Sequence, residues 1–562
     1  MLKEIFKNYK VKALKVSAGR IGTSIMVITF IAFMIVMVEY AIPSKNIDMI
    51  IKLGVLYFIV NIFRGLITIY EDINHDSFEK EIEADYREKI FLKLQNMKQK
   101  EIDKIRVGEV LENVINDTKE FSKYYTFGIC RAYFGGILRL FGTLAVLMYL
   151  DVKIITITFL IYLLGFSVTF LINKKSRKFM KLKRDANAKI INWSNEQVQG
   201  YQTIKSLEAE HQRIIEIKSL IKEYEKAVKK LEKNIRLYTC LYEFMVSFVG
   251  IANILVGSIS VQQGILSYGA LIILARYIDQ PEVYARWVIE GFQFRNAGRI
   301  AYEKINNILE KEEENLSTGK ELETVENIEF KNVAFSYTDS QKVLNDISLK
   351  INRNESIALV GRTGSGKTSM VNLMCRFYDL QEGQIKINGN DYKEYSIKSL
   401  RNKIGYIMQK VVIFDGTILE NINYTNKNIS KEKIIEICKK LNLHEKIMSL
   451  KEGYETKISN DTDIFSAGEK QLINFSRIMV EDSEIIILDE ATASLSYKSE
   501  MLVRKGIEEI TKNKISLIIA HRLSTIKKCD NILLMKDGKI IEQGNHEKLM
   551  NEKGEYYQLV NI

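Results

Sequence analysis

Six apolar runs, each about long enough to cross a bilayer, occupy most of the first half of the chain and leave few folds open to it. They fall at roughly 21–41, 50–70, 127–149, 154–172, 237–261 and 264–290. A helix needs about 20 mainly apolar residues to span the hydrocarbon core, and a backbone in lipid must satisfy its own hydrogen bonds. A bundle of six membrane-spanning helices is predicted. Its connections alternate in length: those near 43–48, 151–153 and 261–268 are short, whereas about 71–123 and 173–236 are long, polar and helical in pattern. An even number of spans puts both termini on one side. Residues 173–184, "NKKSRKFMKLKR", hold seven Lys or Arg and no acid, and the first twenty residues hold six. That bias places the shared side in the cytosol, with the long segments projecting there as helical extensions of the spans.

The formal net charge of +11 would suit a nucleic-acid binder, but the basic residues cluster beside the apolar runs, so the bilayer is the expected partner and nucleic acid is not. The five cysteines are scattered with no C-x-x-C pair, which argues against a disulfide framework or a cysteine metal site. At 562 residues the chain is expected to hold at least two domains. From "IEFKNVAFSY" (328–337) onward, short β-like segments alternate with helical ones, as in an open α/β domain. The predicted division is a transmembrane domain at 1–310, a linker at 311–326 and an α/β domain at 327–562.

"GRTGSGKTS" (361–369) follows an apolar strand and opens a helix. This G-x-x-x-x-G-K-T spacing lets the backbone N–H groups of Gly361, Thr363, Gly364, Ser365 and Gly366 wrap a pyrophosphate. Lys367 then reaches the β- and γ-phosphates, and Thr368 offers its hydroxyl to Mg²⁺ beside Ser369. In "SEIIILDEATAS", four apolar residues at 485–488 form a buried parallel strand ending in Asp489, suited to Mg²⁺ through its water shell. Glu490 follows, placed to polarise an attacking water as general base. A further strand, "ISLIIAH", delivers His521 beyond its end, where an imidazole would steady the γ-phosphate and that water. The expected cofactors are ATP and Mg²⁺.

With these motifs in order, the chain resembles an ATP-binding cassette (ABC) exporter of the six-span half-transporter kind, a membrane α-helical bundle fused to an α/β P-loop ATPase. "FSAGEKQ" (465–471) stands where that family has its signature, "IGYIMQ" places Gln409 as its Q-loop glutamine beside the metal, and Tyr337 lies where an aromatic stacks on adenine. "NEQVQGYQTIKSLEAE" (195–210) is similar to the second cytoplasmic coupling loop, and "GILSYG" with Pro281 to the pattern around the sixth span. The resemblance covers essentially the whole chain. It implies that ATP sits between Gly361–Thr368 of one ATPase domain and Ser466, Ala467 and Gly468 of another, so a second half-transporter, the same chain or a different one, is required. It further implies that ATP clamps two domains together, that hydrolysis releases them, and that a peptide, drug or other amphiphile leaves the cytosol across a bacterial plasma membrane.

Three residues depart from the family pattern. Ala467 replaces a signature glycine, Glu469 replaces the signature glutamine, and Ser496 stands where an aspartate is usual. The first two are expected to be tolerated. Ser496 keeps two other readings open, a partner subunit of a heterodimer with one degenerate ATP site, or a sensor whose ATP binding gates without pumping.

The sixth run carries Arg276, Asp279, Glu282, Arg286 and Glu290, which on one continuous helix share an arc of roughly 120°. Charges within a span normally face a bundle interior or water. Arg276, Asp279, Glu282 and Arg286 are therefore candidates for a charged substrate cavity. The competing reading is a ladder of ion pairs that only holds helices together or lies below the bilayer.

Overall fold

The computed structural model describes residues 2–105, 110, 113–338, 342–425, 429–460, 464–489, 497–519 and 523–561. The chain divides into two compact units, one formed by Met1–Lys93 with Arg106–Glu310 and the other by Leu94–Ile105 with Lys311–Ile562.

The first unit is helical. It contains α1 (Leu2–Val36), α2 (Ile47–Asn96), α3 (Thr118–Tyr125), a wide i→i+5 helix at Thr126–Ile137, α4 (Leu138–Met148), α5 (Val152–Gln199), α6 (Glu210–Gln262), α7 (Tyr268–Tyr277) and α8 (Gln280–Leu309). Among the described residues three helical stretches are long and apolar enough to cross a membrane: Lys3–Ala41, Ile47–Asn96 and Asn113–Met148. They carry the first three apolar runs, while α5 and α6 carry the fourth and fifth. Phe58, Phe63, Leu66 and Ile69 of α2 are exposed, an apolar face that water would penalise and acyl chains would not. Inside, Ile31, Leu144, Ile155, Val249 and Ile273 bring five helices into one core.

Several charges in or beside the apolar runs are paired inside this unit. The Arg20 guanidinium lies 2.6 Å from Glu71, and Thr23 donates to the same carboxylate at 2.8 Å. Arg139, buried, donates to Ser24 at 3.0 Å and to Thr23 at 2.9 Å. Arg131 lies 3.6 Å from Glu290.

The sixth run does not form the single helix on which the charged arc was drawn. Helix α7 ends at Tyr277 and α8 begins at Gln280, with Asp279 between them at the N-cap and Pro281 in the first turn. Proline has no N–H to return to the carbonyl four residues back and its ring crowds that carbonyl, so the helix breaks there. Arg276 stands before the break, and Glu282, Arg286 and Glu290 after it. Glu282 is buried and Arg286 exposed, 2.7 Å apart, whereas Glu290 turns to Arg131 rather than to its own helix.

The second unit is built on β1 (Asn327–Phe335), β2 (Leu344–Asn352), β3 (Ser356–Val360), β4 (Glu382–Ile387), β5 (Asn390–Asp391), β6 (Ile404–Ile407), β7 (Gly416–Thr417), β8 (Lys457–Ile458), β9 (Ile485–Asp489), β10 (Ile515–Ile519), β11 (Asn531–Lys536) and β12 (Lys539–Gly544). Antiparallel β2-β1-β4-β5 forms one sheet and β12-β11-β3-β10-β9-β6 the main one, in which β11, β3, β10, β9 and β6 are parallel. Both faces of the main sheet are buried: Ile485 and Ile487 join one core, Ile486 and Leu488 the other. That is why these strands read as unbroken apolar runs rather than alternating ones.

Residues 311–326 run along this unit. The backbone of Glu314 bonds Asn96 at 2.8 Å, Arg401 grips the Glu314 carboxylate with two N–H groups at 2.5 and 2.9 Å, and Leu322 N donates to Ser399 Oγ at 2.6 Å.

Candidate nucleotide site

In an open parallel sheet, ligands bind beyond the carboxyl ends of the strands. Here β10 lies between β3 and β9, with Ile519 opposite both Leu359 and Asp489. The loop after β3 and the carboxylate ending β9 thus open onto one place, and a cleft of about 510 Å³ lies there.

The loop needs its glycines. Gly361 has φ +154°, and a Cβ on it would meet the Met535 carbonyl oxygen at 2.3 Å; Gly366, at φ +104°, would press a Cβ to 2.7 Å from Leu344. Helix α9 (Lys367–Met374) starts directly after Gly366, and among the described residues no side chain caps it. Its first N–H groups are left for a ligand, and an anion suits that end of a helix. The Lys367 ammonium is buried and donates to the carbonyls of Gly361 at 2.8 Å and Arg362 at 3.0 Å, which holds the loop curled. Thr363, Gly364, Gly366, Lys367, Thr368, Ser369, Tyr337 and Asp489 all line the cleft. Ser365 is buried in the loop, and among the described residues its Oγ has no hydrogen-bond partner.

Tyr337 is fixed at the rim. Its hydroxyl donates to Ser369 Oγ at 3.0 Å and accepts from Asn372 Nδ2 at 3.0 Å, while Phe335 and Tyr378 stand edge-on to its ring. At 39% exposed it keeps open surface for a stacking partner. Lys342, just before β2, and Asp537 and Gly538, in the turn between β11 and β12, also line the cleft, and no motif points to them. Tyr406, another residue without a motif, donates to Asp489 Oδ2 at 3.3 Å. Burial, with the Asp489 charge beside it, pushes the Tyr406 phenol well above its ordinary value, so it stays protonated and remains a donor.

Other expected residues lie elsewhere. Gln409 is exposed in the loop after β6, outside the cleft lining. Ser466, Ala467 and Gly468 open helix α10 (Ala467–Glu481) and contribute nothing to the cleft walls either. Ser466 Oγ accepts from Glu469 N, and the Glu469 carboxylate accepts from Ser466 N at 2.7 Å, a reciprocal cap. Ala467 is exposed, so its methyl group meets no obstacle, whereas a Cβ on Gly468 would lie 2.6 Å from that of Ser499. Glu490, His521 and Ser496 lie outside the described residues.

Comparison with known proteins decides the family. The ABC transporter family matches residues 344–493, and the ABC transporter transmembrane region matches 18–280. A fatty acid ABC transporter ATP-binding/permease protein of Mycobacterium bovis is 30% identical over 457 residues, 80% of this chain and 72% of that protein. The chain belongs to the ABC transporter family. It is a half-transporter with its membrane region and its ATP-hydrolysing domain fused. A putative multidrug export ATP-binding/permease protein of Bacillus subtilis is 28% identical over 525 residues, 92% of this chain and 90% of the relative. The structure of a bacterial Atm1-family ABC exporter with ATP bound matches 99% of this chain and 98% of its own with a TM-score of 0.78 at 22% identity, a likeness of fold.

The cleft fits an ATP phosphate chain on its own evidence: an uncapped helix end, a glycine loop in which side chains would clash, and the orphaned Ser365 hydroxyl. The cleft also holds the oxygen donors Thr368 and Asp489, which suit a hard cation. Among the described residues no cluster of three or more His, Cys, Asp or Glu forms a metal cage, and Mg²⁺ characteristically completes its shell with water and phosphate.

Proposed function

We propose that this chain is one half of an ATP-driven exporter that carries a peptide, a drug-like compound or another amphiphile out of the cytosol, paired with a second half-transporter in a bacterial plasma membrane with both termini in the cytosol. The observation that carries the reading is the cleft where β3, β9 and α9 meet, on a chain that also supplies its own membrane helices. The names of the relatives, multidrug and fatty acid, both point to amphiphilic cargo.

In this reading Lys367 and the N–H groups of 361–368 hold the phosphates, Tyr337 stacks on the base, and Thr368 and Asp489 would hold Mg²⁺; Gln409, on the exposed loop after β6, is assigned to the metal by the family resemblance alone. Bound Mg²⁺–ATP supplies a phosphoryl group open to attack by water. Glu490 takes a proton from that water and His521 keeps it in line. Ser466, Ala467 and Gly468 close the site of the partner, since they stand outside the cleft of their own chain. Arg276, Asp279, Glu282 and Arg286 border the cargo path on either side of the Pro281 break.

Inside-out vesicles holding the full chain test the reading. ATP-dependent accumulation of a fluorescent amphiphilic dye is expected with the wild type and not with Glu490→Gln. Equal accumulation in both would leave ATP as a gate or signal rather than the driving force.

A further inference from the structure

Helix α8 packs closely against both α3 and the wide helix 126–137, meeting the latter backbone to backbone. A Cβ on Gly128 would lie 2.9 Å from the Arg295 amide nitrogen, and one on Gly298 would lie 2.7 Å from Tyr124 Cβ. Beside this contact is a hollow of about 330 Å³, bounded by Tyr124, Ile129, Tyr133, Arg295, Asn296 and Arg299. It shares no lining residue with the nucleotide cleft, and no motif marks it.

The cations around it set one residue apart. Arg131 has Glu290 at 3.6 Å, Lys123 has Glu120 at 3.6 Å and Lys304 has Asp117 at 3.2 Å. Along α8 itself, Arg286 has Glu282 at 2.7 Å and Arg299 has Glu303 at 3.8 Å. Among the described residues Arg295 has no carboxylate partner. It donates to the Tyr133 hydroxyl at 3.0 Å and lies 5.1 Å from the centre of the Phe292 ring. A guanidinium stays charged at any physiological pH and offers five N–H groups in a planar fork. Half-buried with one neutral acceptor among the described residues, it finds within its own chain no counter-charge, which such a site calls for.

We propose that this hollow binds an anionic amphiphile, its carboxylate or phosphate on Arg295 and Arg299 and its apolar part against Tyr124, Ile129 and Tyr133. Arginine's fork matches both head groups. A bare anion would leave the two rings and the isoleucine unused, and a neutral ligand would leave Arg295 unpaired. The volume falls within the roughly 300–1,000 Å³ usual for small-molecule sites. Ile129 and Tyr133 belong to the third apolar run, while Arg295 and Arg299 stand just past the end of the sixth, so the hollow lies where head groups and acyl chains divide. Naming the occupant as cargo rests on the export reading; the site itself does not.

The test uses the full chain in phosphatidylcholine nanodiscs without nucleotide, so a failure of transport does not affect it. Titration with octyl phosphate is expected to saturate at one per chain. Arg295→Gln is expected to weaken binding at least tenfold, with partial recovery in Arg295→Lys, and octyltrimethylammonium is expected not to compete. Arg299→Gln, at an exposed position, is expected to weaken binding severalfold and serves where Arg295→Gln does not fold. Unchanged affinity in the variants, or equal binding of the cationic probe, overturns the site. Inorganic phosphate binding as tightly as octyl phosphate overturns the apolar half of it. Displacement of the probe by phosphatidylglycerol in the disc supports the site with a membrane lipid as occupant. Uptake of octyl phosphate into vesicles that drops with Arg295→Gln supports it with cargo as occupant.

Discussion

Glu484 stands immediately before β9 and ties three segments together: its carboxylate accepts from Lys403 Nζ at 2.7 Å and from Val325 N at 2.8 Å. Burial alone would push its pKa up, but the Lys403 ammonium and the backbone N–H outweigh that and hold it below the usual carboxylate value of 4.5. A carboxyl whose folded pKa is depressed stabilises the fold above its unfolded pKa, and that contribution is lost as pH falls through the lower, folded value. The unfolding temperature of the ATPase unit is therefore expected to drop as pH is taken from 5 toward 3, and Glu484→Gln is expected to start lower and fall less steeply. Parallel curves for the two proteins, followed by tryptophan-independent calorimetry of the full chain, would assign the acid sensitivity to other carboxylates. Residues of this kind show the limit of reading a sequence. Asp489 was legible because the apolar strand that carries it is local. The ties of Glu484 to Lys403 and of Tyr406 to Asp489 depend on β6 lying beside β9, and no local pattern records that adjacency.

Elements were legible where their signal is periodic and obscure where it is not. The buried parallel strands, the glycine loop and the long helices follow from runs and spacings. The wide helix 126–137 does not, because i→i+5 turns have no residue preference strong enough to read. The break before α8 was marked by Pro281, yet the charges around it invite a continuous helix, and the proline prevails because it removes a bond that side-chain pairing cannot replace. Helix α10 supplies a test of how a departure from a family pattern is absorbed. Glu469 closes the reciprocal cap with Ser466, and glutamine closes such a cap as well. Glu469→Gln is thus expected to leave the thermal midpoint of the ATPase unit almost unchanged. Ser466→Ala removes the acceptor for the Glu469 N–H and is expected to cost about 1 kcal/mol. Chemical denaturation of both variants checks the pair, and a larger loss in Glu469→Gln than in Ser466→Ala would mean that the charge, not the cap, holds this helix.

At the scale of the molecule the question is where a working ATP site is assembled. The cleft supplies Lys367, Thr368 and Asp489, while Ser466 and Ala467 face outward at the start of α10 and take no part in its walls. If sites form between chains, a mixed dimer behaves unlike either parent. Lys367→Ala disables the phosphate loop and Ser466→Arg the surface that closes the partner's site, so each variant alone is expected to be inactive. In a dimer with one of each, both defects fall in the same site and the other site is intact. Random mixing puts half the dimers in that form with one of two sites sound, so about a quarter of the wild-type ATPase rate is expected to return. A site complete within one chain predicts no recovery at any ratio. A chain that needs a different partner would show neither wild-type activity alone nor recovery on mixing, and co-purification from its native membrane would then be required to supply the second half. Complementation therefore separates three architectures by rate alone, and it does so without knowledge of the cargo.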